Sequence, residues 1–124
     1  MPVSYNLMHT IDINCDLGEG YPHDAELMQY ISSANIACGF HAGDEETIKR
    51  TIDLCLINKV AIGAHPSFKD RANFGRINRQ LSDGELYDLV AEQITLLQAH
   101  CKQAGTKLHH VKPHGALYNM AAIS

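Results

Sequence analysis

No stretch of this 124-residue chain is apolar for long enough to cross a membrane, and its first residues, Met-Pro-Val-Ser-Tyr-Asn, lack the charged and apolar regions of a signal peptide. A cytoplasmic protein without membrane contact is the expectation. Positive charge is also scarce, since 10 Lys and Arg against 14 Asp and Glu leave a formal charge of −4. Nothing in the bulk composition therefore points to nucleic acid as a partner. The four cysteines, Cys15, Cys38, Cys55 and Cys101, form no C-x-x-C pair. They read as reduced, mostly buried thiols, which excludes a disulfide frame or a zinc knuckle. A hydrophobic content of 45% supports one domain with a real core over residues 1–124.

What the chain does have is histidine, eight in all, and their positions matter more than their number. The stretch 33–44 runs a buried-strand pattern at 34–38 into a turn bracketed by Gly39 and Gly43. Asp44 then fits a helix N-cap, with Glu45 and Glu46 in the first turn, where the helix dipole favours negative charge. His41 thereby falls at the carboxyl end of a strand, the place where ligands bind in parallel α/β folds.

The rest of the chain repeats this grammar. Residues 9–16 read as a first strand ending in a polar cluster, with Asn14, Asp16 and Glu19 together before a short helix at 25–31. Apolar residues Ile48, Ile52, Cys55 and Leu56 recur at helical spacing through 45–58. Residues 60–65 form an uncharged third strand closed by His65-Pro66. In the loop 67–80, Lys69, Arg71, Arg76 and Arg79 oppose Asp70 alone, which suits a carboxylate or phosphate as well as a merely solvated loop.

Ser82 and Glu85 fit a capping box before a long helix whose apolar face holds Leu86, Leu89, Val90, Ile94, Leu97, Cys101 and Ala104, with His100 on its surface and Gly105 at its end. Residues 107–115 form a fourth strand that delivers Lys112 and His114 at its end, and a helix begins after it. Adjacent His109 and His110 must point to opposite faces, so at most one enters the same interior as the other groups. Four strand–helix units, each delivering polar groups at the same end, predict a parallel α/β fold with a composite site.

Motifs 13–19, 33–44, 61–66, 74–76 and 111–119, in that order, resemble the LamB/YcsF family over about Ile11 to Ala122. The resemblance implies a (β/α) barrel of the glycoside hydrolase/deacetylase type. Four units are half of an eight-stranded barrel, and half a barrel leaves two open edges and a bare inner face. Completion is expected from a longer chain or from pairing, as in a homo-oligomer.

The resemblance also implies ATP-dependent opening of 5-oxoproline to L-glutamate together with partner subunits B and C, with ATP as co-substrate of the complex. In this reading Asp16, His41, His65 or His114 supplies the general base, and Lys112 stabilises an oxyanion or a phosphate. Arg76 holds the substrate carboxylate and Asn14 orients a neighbour, with Glu19, Asp44 and Tyr118 as further substrate-binding residues. Two rivals stand beside it. In one, Asp16, His41, His65 and His114 bind a divalent metal in a deacetylase-like hydrolase. In the other, the same groups bind a small acid in a non-catalytic subunit.

Overall fold

The computed structural model describes residues 8–123, so the leader reading made on residues 1–6 lies outside the described part. The elements are β1 (Asn14–Leu17), α1 (Asp24–Leu27), β2 (Ser33–Ala37), α2 (Glu45–Asn58), β3 (Ala61–His65), α3 (Asp83–Gln103), β4 (His110–Val111) and α4 (Gly115–Ile123). The four strands make one parallel sheet in the order β1-β2-β3-β4. Among the described residues this sheet is open, with β1 and β4 at its edges.

Register assigns every strand residue to a face, because paired residues of parallel strands point the same way. Cys15, Leu17, Ala34, Ile36, Ile62 and Ala64 face α2 and α3. They meet Ile48, Ile52, Cys55, Leu97 and Cys101 in the main core. Burying each large aliphatic side chain there contributes about 1.5–3 kcal/mol. Asp16, Asn35, Gly63 and His110 lie in one row on the opposite face. Gly63 is required in that row, since a Cβ would lie 2.1 Å from His110 Nε2.

The helix signals act as expected. Asp44 caps α2 by accepting from the Thr47 amide at 2.7 Å. Ser82 and Glu85 form the complete capping box of α3. All four cysteines are free, and burial pushes the Cys38 and Cys55 thiols up to about 12, so neither is a thiolate at neutral pH.

The edges differ from the sequence reading. Residues 9–13 do not pair as strand; Ile11 and Ile13 stay exposed, and the Asp12 carboxylate instead accepts from the Ser32 and Ser33 hydroxyls. Among the described residues strand β1 has one neighbour, and β2 begins only at Ser33, which sets where pairing can start. At the other edge β4 is two residues long, although backbone bonds from the His109, Lys112 and His114 amides to Ile62, Ala64 and Pro66 keep 109–114 alongside β3. Helix α1 is also shorter than expected, at four residues.

The apolar face of α3 divides. Leu97 and Cys101 enter the main core, while Leu86, Leu89 and Val90 pack against Phe68, Ala116 and Leu117. The helix is longer than the strands it covers, so its first turns reach past the sheet onto α4. His100, expected at the surface, is half-buried with its Nδ1 enclosed and unpartnered among the described residues.

Candidate functional site

Three histidines from three different strand ends meet in one place. His41 follows β2, His65 ends β3 and His114 follows β4, and all three are buried. The rings of His41 and His114 stack with centroids 3.8 Å apart and planes 11° from parallel. His65 packs edge-on against both, at 5.5 and 4.8 Å. Phe74 closes one side, edge-on to His41 and His114 at 5.1 and 4.9 Å.

The carboxylate at the centre is Glu19, in the turn after β1. Its Oε2 lies 2.6 Å from His41 Nε2, 3.6 Å from His114 Nδ1 and 3.8 Å from His65 Nε2. The metal-binding alternative had put Asp16 in this role. Asp16 ends up one step aside, 3.4 Å from His65 Nε2 through Oδ2, because its other oxygen accepts from Lys112 Nζ at 3.1 Å and from Asn35 at 2.9 Å. One ligand atom from each of Glu19, His41, His65 and His114 falls within 4.8 Å of the others.

Backbone carbonyls fix two of the tautomers, since a carbonyl oxygen can only accept. His65 Nδ1–H donates to the Lys112 carbonyl at 2.6 Å, and His114 Nε2–H donates to the Phe74 carbonyl at 2.7 Å. The bare nitrogens, His65 Nε2 and His114 Nδ1, then face each other at 3.0 Å. Phe74 holds a positive φ of 55°, a strained setting for a residue with a side chain, and it turns both carbonyl and ring toward the histidines. Gly75 follows with φ 66°, and a Cβ there would sit 2.0 Å from Ser67 Oγ and 3.1 Å from His41 Cβ.

Electrostatics follow the contacts. Burial on its own would raise the Asp16 pKa, but the neighbouring His65 ring and hydrogen bonds from Asn35 and Lys112 overcome it and hold the carboxyl far below its ordinary 3.8. A carboxylate so stabilised is a weak base. Burial, with the neighbouring His41 and His65 rings, lowers the His114 pKa below its ordinary 6.5 despite the Phe74 carbonyl and Glu19.

The remaining expected residues fall farther out. Asn14 lies exposed on the same sheet face, two residues before Asp16, donating to Ser33 Oγ at 2.8 Å and Asn35 Oδ1 at 3.2 Å. Arg76 lays its guanidinium 4.9 Å over the Phe74 ring. Asp44 is engaged as the α2 cap, and Tyr118 is exposed on α4. The cationic loop does not converge on one anion site. Arg71 donates to the Gly39 and Gly43 carbonyls at 2.9 and 2.6 Å, Arg79 pairs with Asp70 at 2.9 Å, and Lys69 sits over Phe40.

Sequence reasoning missed Asn35, which joins Asn14, Asp16 and the His110 ring at 2.7 Å. An amide inside an otherwise apolar buried strand was the available signal. His110 faces this interior and His109 is exposed, as strand alternation requires.

Comparison with known proteins finds relatives in sequence and in fold. The chain is 56% identical over 120 residues to the 5-oxoprolinase A subunit of Clostridium kluyveri, a match covering 93% of this chain and 47% of that protein. It is 54% identical to the 5-oxoprolinase A subunit of Brevibacillus brevis, with the same coverages. The crystal structure of the lactam utilization protein of Thermus thermophilus superposes with a TM-score of 0.88 at 47% identity, covering 91% of this chain and 48% of that one. The chain thus spans about half the length of the relatives it matches. Residues 11–124 match the LamB/YcsF family, and the chain belongs to that family.

Proposed function

We propose that this chain is the N-terminal half of a (β/α) barrel that works as a subunit of a cytoplasmic ATP-dependent 5-oxoprolinase. The complex would open 5-oxo-L-proline to L-glutamate with partner subunits B and C. The observation that carries the reading is the convergence of Glu19, His41, His65 and His114 at the carboxyl ends of consecutive parallel strands. The names of the relatives supply the substrate class. The strand order β1-β2-β3-β4 is the order a barrel needs, and the polar inner face suits a barrel mouth.

The ring amide of 5-oxoproline is a poor electrophile, so ATP spent by the partner subunits activates its carbonyl. With the γ-phosphoryl group on the lactam oxygen and ADP released, water adds to that carbon, the ring C–N bond breaks as the nitrogen takes a proton to become the amino group of glutamate, and a second water hydrolyses the resulting acyl phosphate to carboxylate and free phosphate. Among the histidines, His65 presents a bare Nε2 beside Asp16 and so faces the place where the attacking water would be activated. Lys112, half-exposed beside Asp16, would stabilise the oxyanion or a phosphate. Arg76 would hold the substrate carboxylate, with Phe74 as its platform. Asn14 orients Asn35 and through it Asp16, and Asp44 and Tyr118 complete the substrate-facing rim in this proposal.

The test is glutamate release from 5-oxoproline with ATP and subunits B and C. Release that requires this chain and is lost on His65→Gln supports the reading. Oxoproline binding without turnover in the complete complex would leave a non-catalytic binding subunit in its place.

A further inference from the structure

We infer that Glu19, His65 and His114 are the protein ligands of one divalent transition-metal ion, with His41 as the residue that positions Glu19. The two histidines have their outer ring nitrogens committed to backbone carbonyls at 2.6 and 2.7 Å. Metal-binding histidines are oriented in this way, because a donor bond from one nitrogen leaves the other bare and fixes the direction of its lone pair.

Those lone pairs, on His65 Nε2 and His114 Nδ1, are aimed at each other across 3.0 Å. Two bare nitrogens at that distance repel unless something positive lies between or beside them. Glu19 Oε2 completes a triangle with edges of 3.0, 3.6 and 3.8 Å. A tetrahedral ion with bonds of about 2.0–2.1 Å has donor–donor edges of roughly 3.3 Å, close to the middle of that range. Two imidazoles and one carboxylate suit zinc, iron or cobalt better than magnesium or calcium, which prefer oxygen.

The surroundings agree. His41 Nε2 lies 2.6 Å from Glu19 Oε2, and because a carboxylate only accepts, this nitrogen carries the proton. His41 therefore holds the carboxylate in place and is not itself a donor to the ion. Its other nitrogen, Nδ1, is buried without a hydrogen-bond partner among the described residues, as expected of a ring used from one side. Lys112, the nearest cation in the sequence pattern, is drawn off to Asp16 and does not compete with an ion. Asp16 Oδ2 lies 3.4 Å from His65 Nε2, outside the triangle of donors.

Binding of the ion rests on this geometry alone, and its use in ring opening rests on the function proposed above. The test is cobalt and zinc loading of the chelator-stripped protein, read by elemental analysis and by the visible spectrum of Co²⁺, with folding checked by circular dichroism. We expect one ion per chain in the wild type. Binding should be lost in Glu19→Gln and in His114→Gln, two near-isosteric changes that keep the packing. His41→Gln should weaken binding by roughly 10–100-fold without abolishing it.

A folded wild-type protein that takes up neither metal overturns the inference and leaves a proton shared by His65 and His114 as the positive charge between them. So does uptake that survives Glu19→Gln and His114→Gln, which would locate the ion elsewhere, for instance at the His109–His110 pair. Oxoproline turnover by fully stripped protein likewise overturns a catalytic ion while leaving the proposed function intact. Stoichiometric metal without turnover supports the site and counts against the function.

Discussion

Lys112 reaches Asp16 with its ammonium at 3.1 Å while its own carbonyl takes the Nδ1 proton of His65 at 2.6 Å. One residue thus serves two parts of the site by two different atoms, and substitution separates them. Lys112→Met removes the ammonium and keeps the carbonyl, so His65 should stay in place while the Asp16 pKa rises. Carboxyl NMR titration measures the second effect, and His65 ring shifts the first. In the proposed reaction the loss in kcat should be about 10²-fold. A variant in which the His65 resonances move and the Asp16 titration does not would contradict the division.

Gly75 is the position where backbone conformation and space coincide. Its φ of 66° and the 2.0 Å approach of a Cβ to Ser67 Oγ leave no room for a side chain. Gly75→Ala should cost about 1–3 kcal/mol in urea unfolding, from strain and overpacking together. It should also disturb the His41 and His114 ring resonances, since those rings border the same space. A stability change below the scatter of the measurement would show that the loop simply shifts.

Gln93 offers a test remote from the histidines. Its buried amide accepts from the Ser67 N–H at 2.9 Å and donates to the Ser67 carbonyl at 2.8 Å, pinning the chain just after β3. Gln93→Leu keeps the volume but leaves both backbone groups buried and unpaired, at about 1–3 kcal/mol each. Equilibrium unfolding should register a loss of that size, and an unchanged midpoint would mean that water reaches the gap.

Acid should destabilise the protein in two windows. Burial, followed by the neighbouring His109 charge, lowers His110 below its ordinary 6.5. The unfolded chain then binds this proton more readily, so the contribution of His110 is complete above pH 6.5 and is lost as the pH falls through the folded value. The carboxyls act lower down. Asp44 is depressed by the Thr47 amide and Asp70 by the Arg79 guanidinium, both from an ordinary 3.8. Their stabilisation is complete above pH 3.8 and vanishes as the pH falls through their folded values. Tm should therefore fall from neutral pH downward, with Asp70→Asn flattening the lower window. A Tm that rose on acidification would reverse the sign of the argument.

Much of this arrangement was legible from residues alone, for local reasons. The caps Asp44 and Ser82, the interior strands, read at 34–38 and 60–65 and found at Ser33–Ala37 and Ala61–His65, and the strand-end positions of His41, His65 and His114 follow from patterns within a few residues. What escaped depends on partners far away in the chain. Glu19 displaces Asp16 at the centre because Lys112 and Asn35, from two other strands, claim Asp16 first. The edge strands shortened because a strand's length depends on its neighbour as well as on its own alternation. Arg71 and Arg79 looked like part of an anion site in sequence, yet one ties down the Gly39–Gly43 turn and the other neutralises Asp70.

The contacts that assemble the histidines also order events in time. The His65–Lys112 bond spans 47 residues, the His65–His114 contact 49 and the Asp16–Lys112 pair 96. Contacts so distant in sequence form slowly, because the loop entropy is lost before the contact can stabilise anything. A nascent chain that has emerged only through β3 carries His41 and His65 but neither the Lys112 carbonyl nor His114. Assembly of the histidine cluster therefore waits for the docking of the segment 110–114, which makes β4 the timing element of the site.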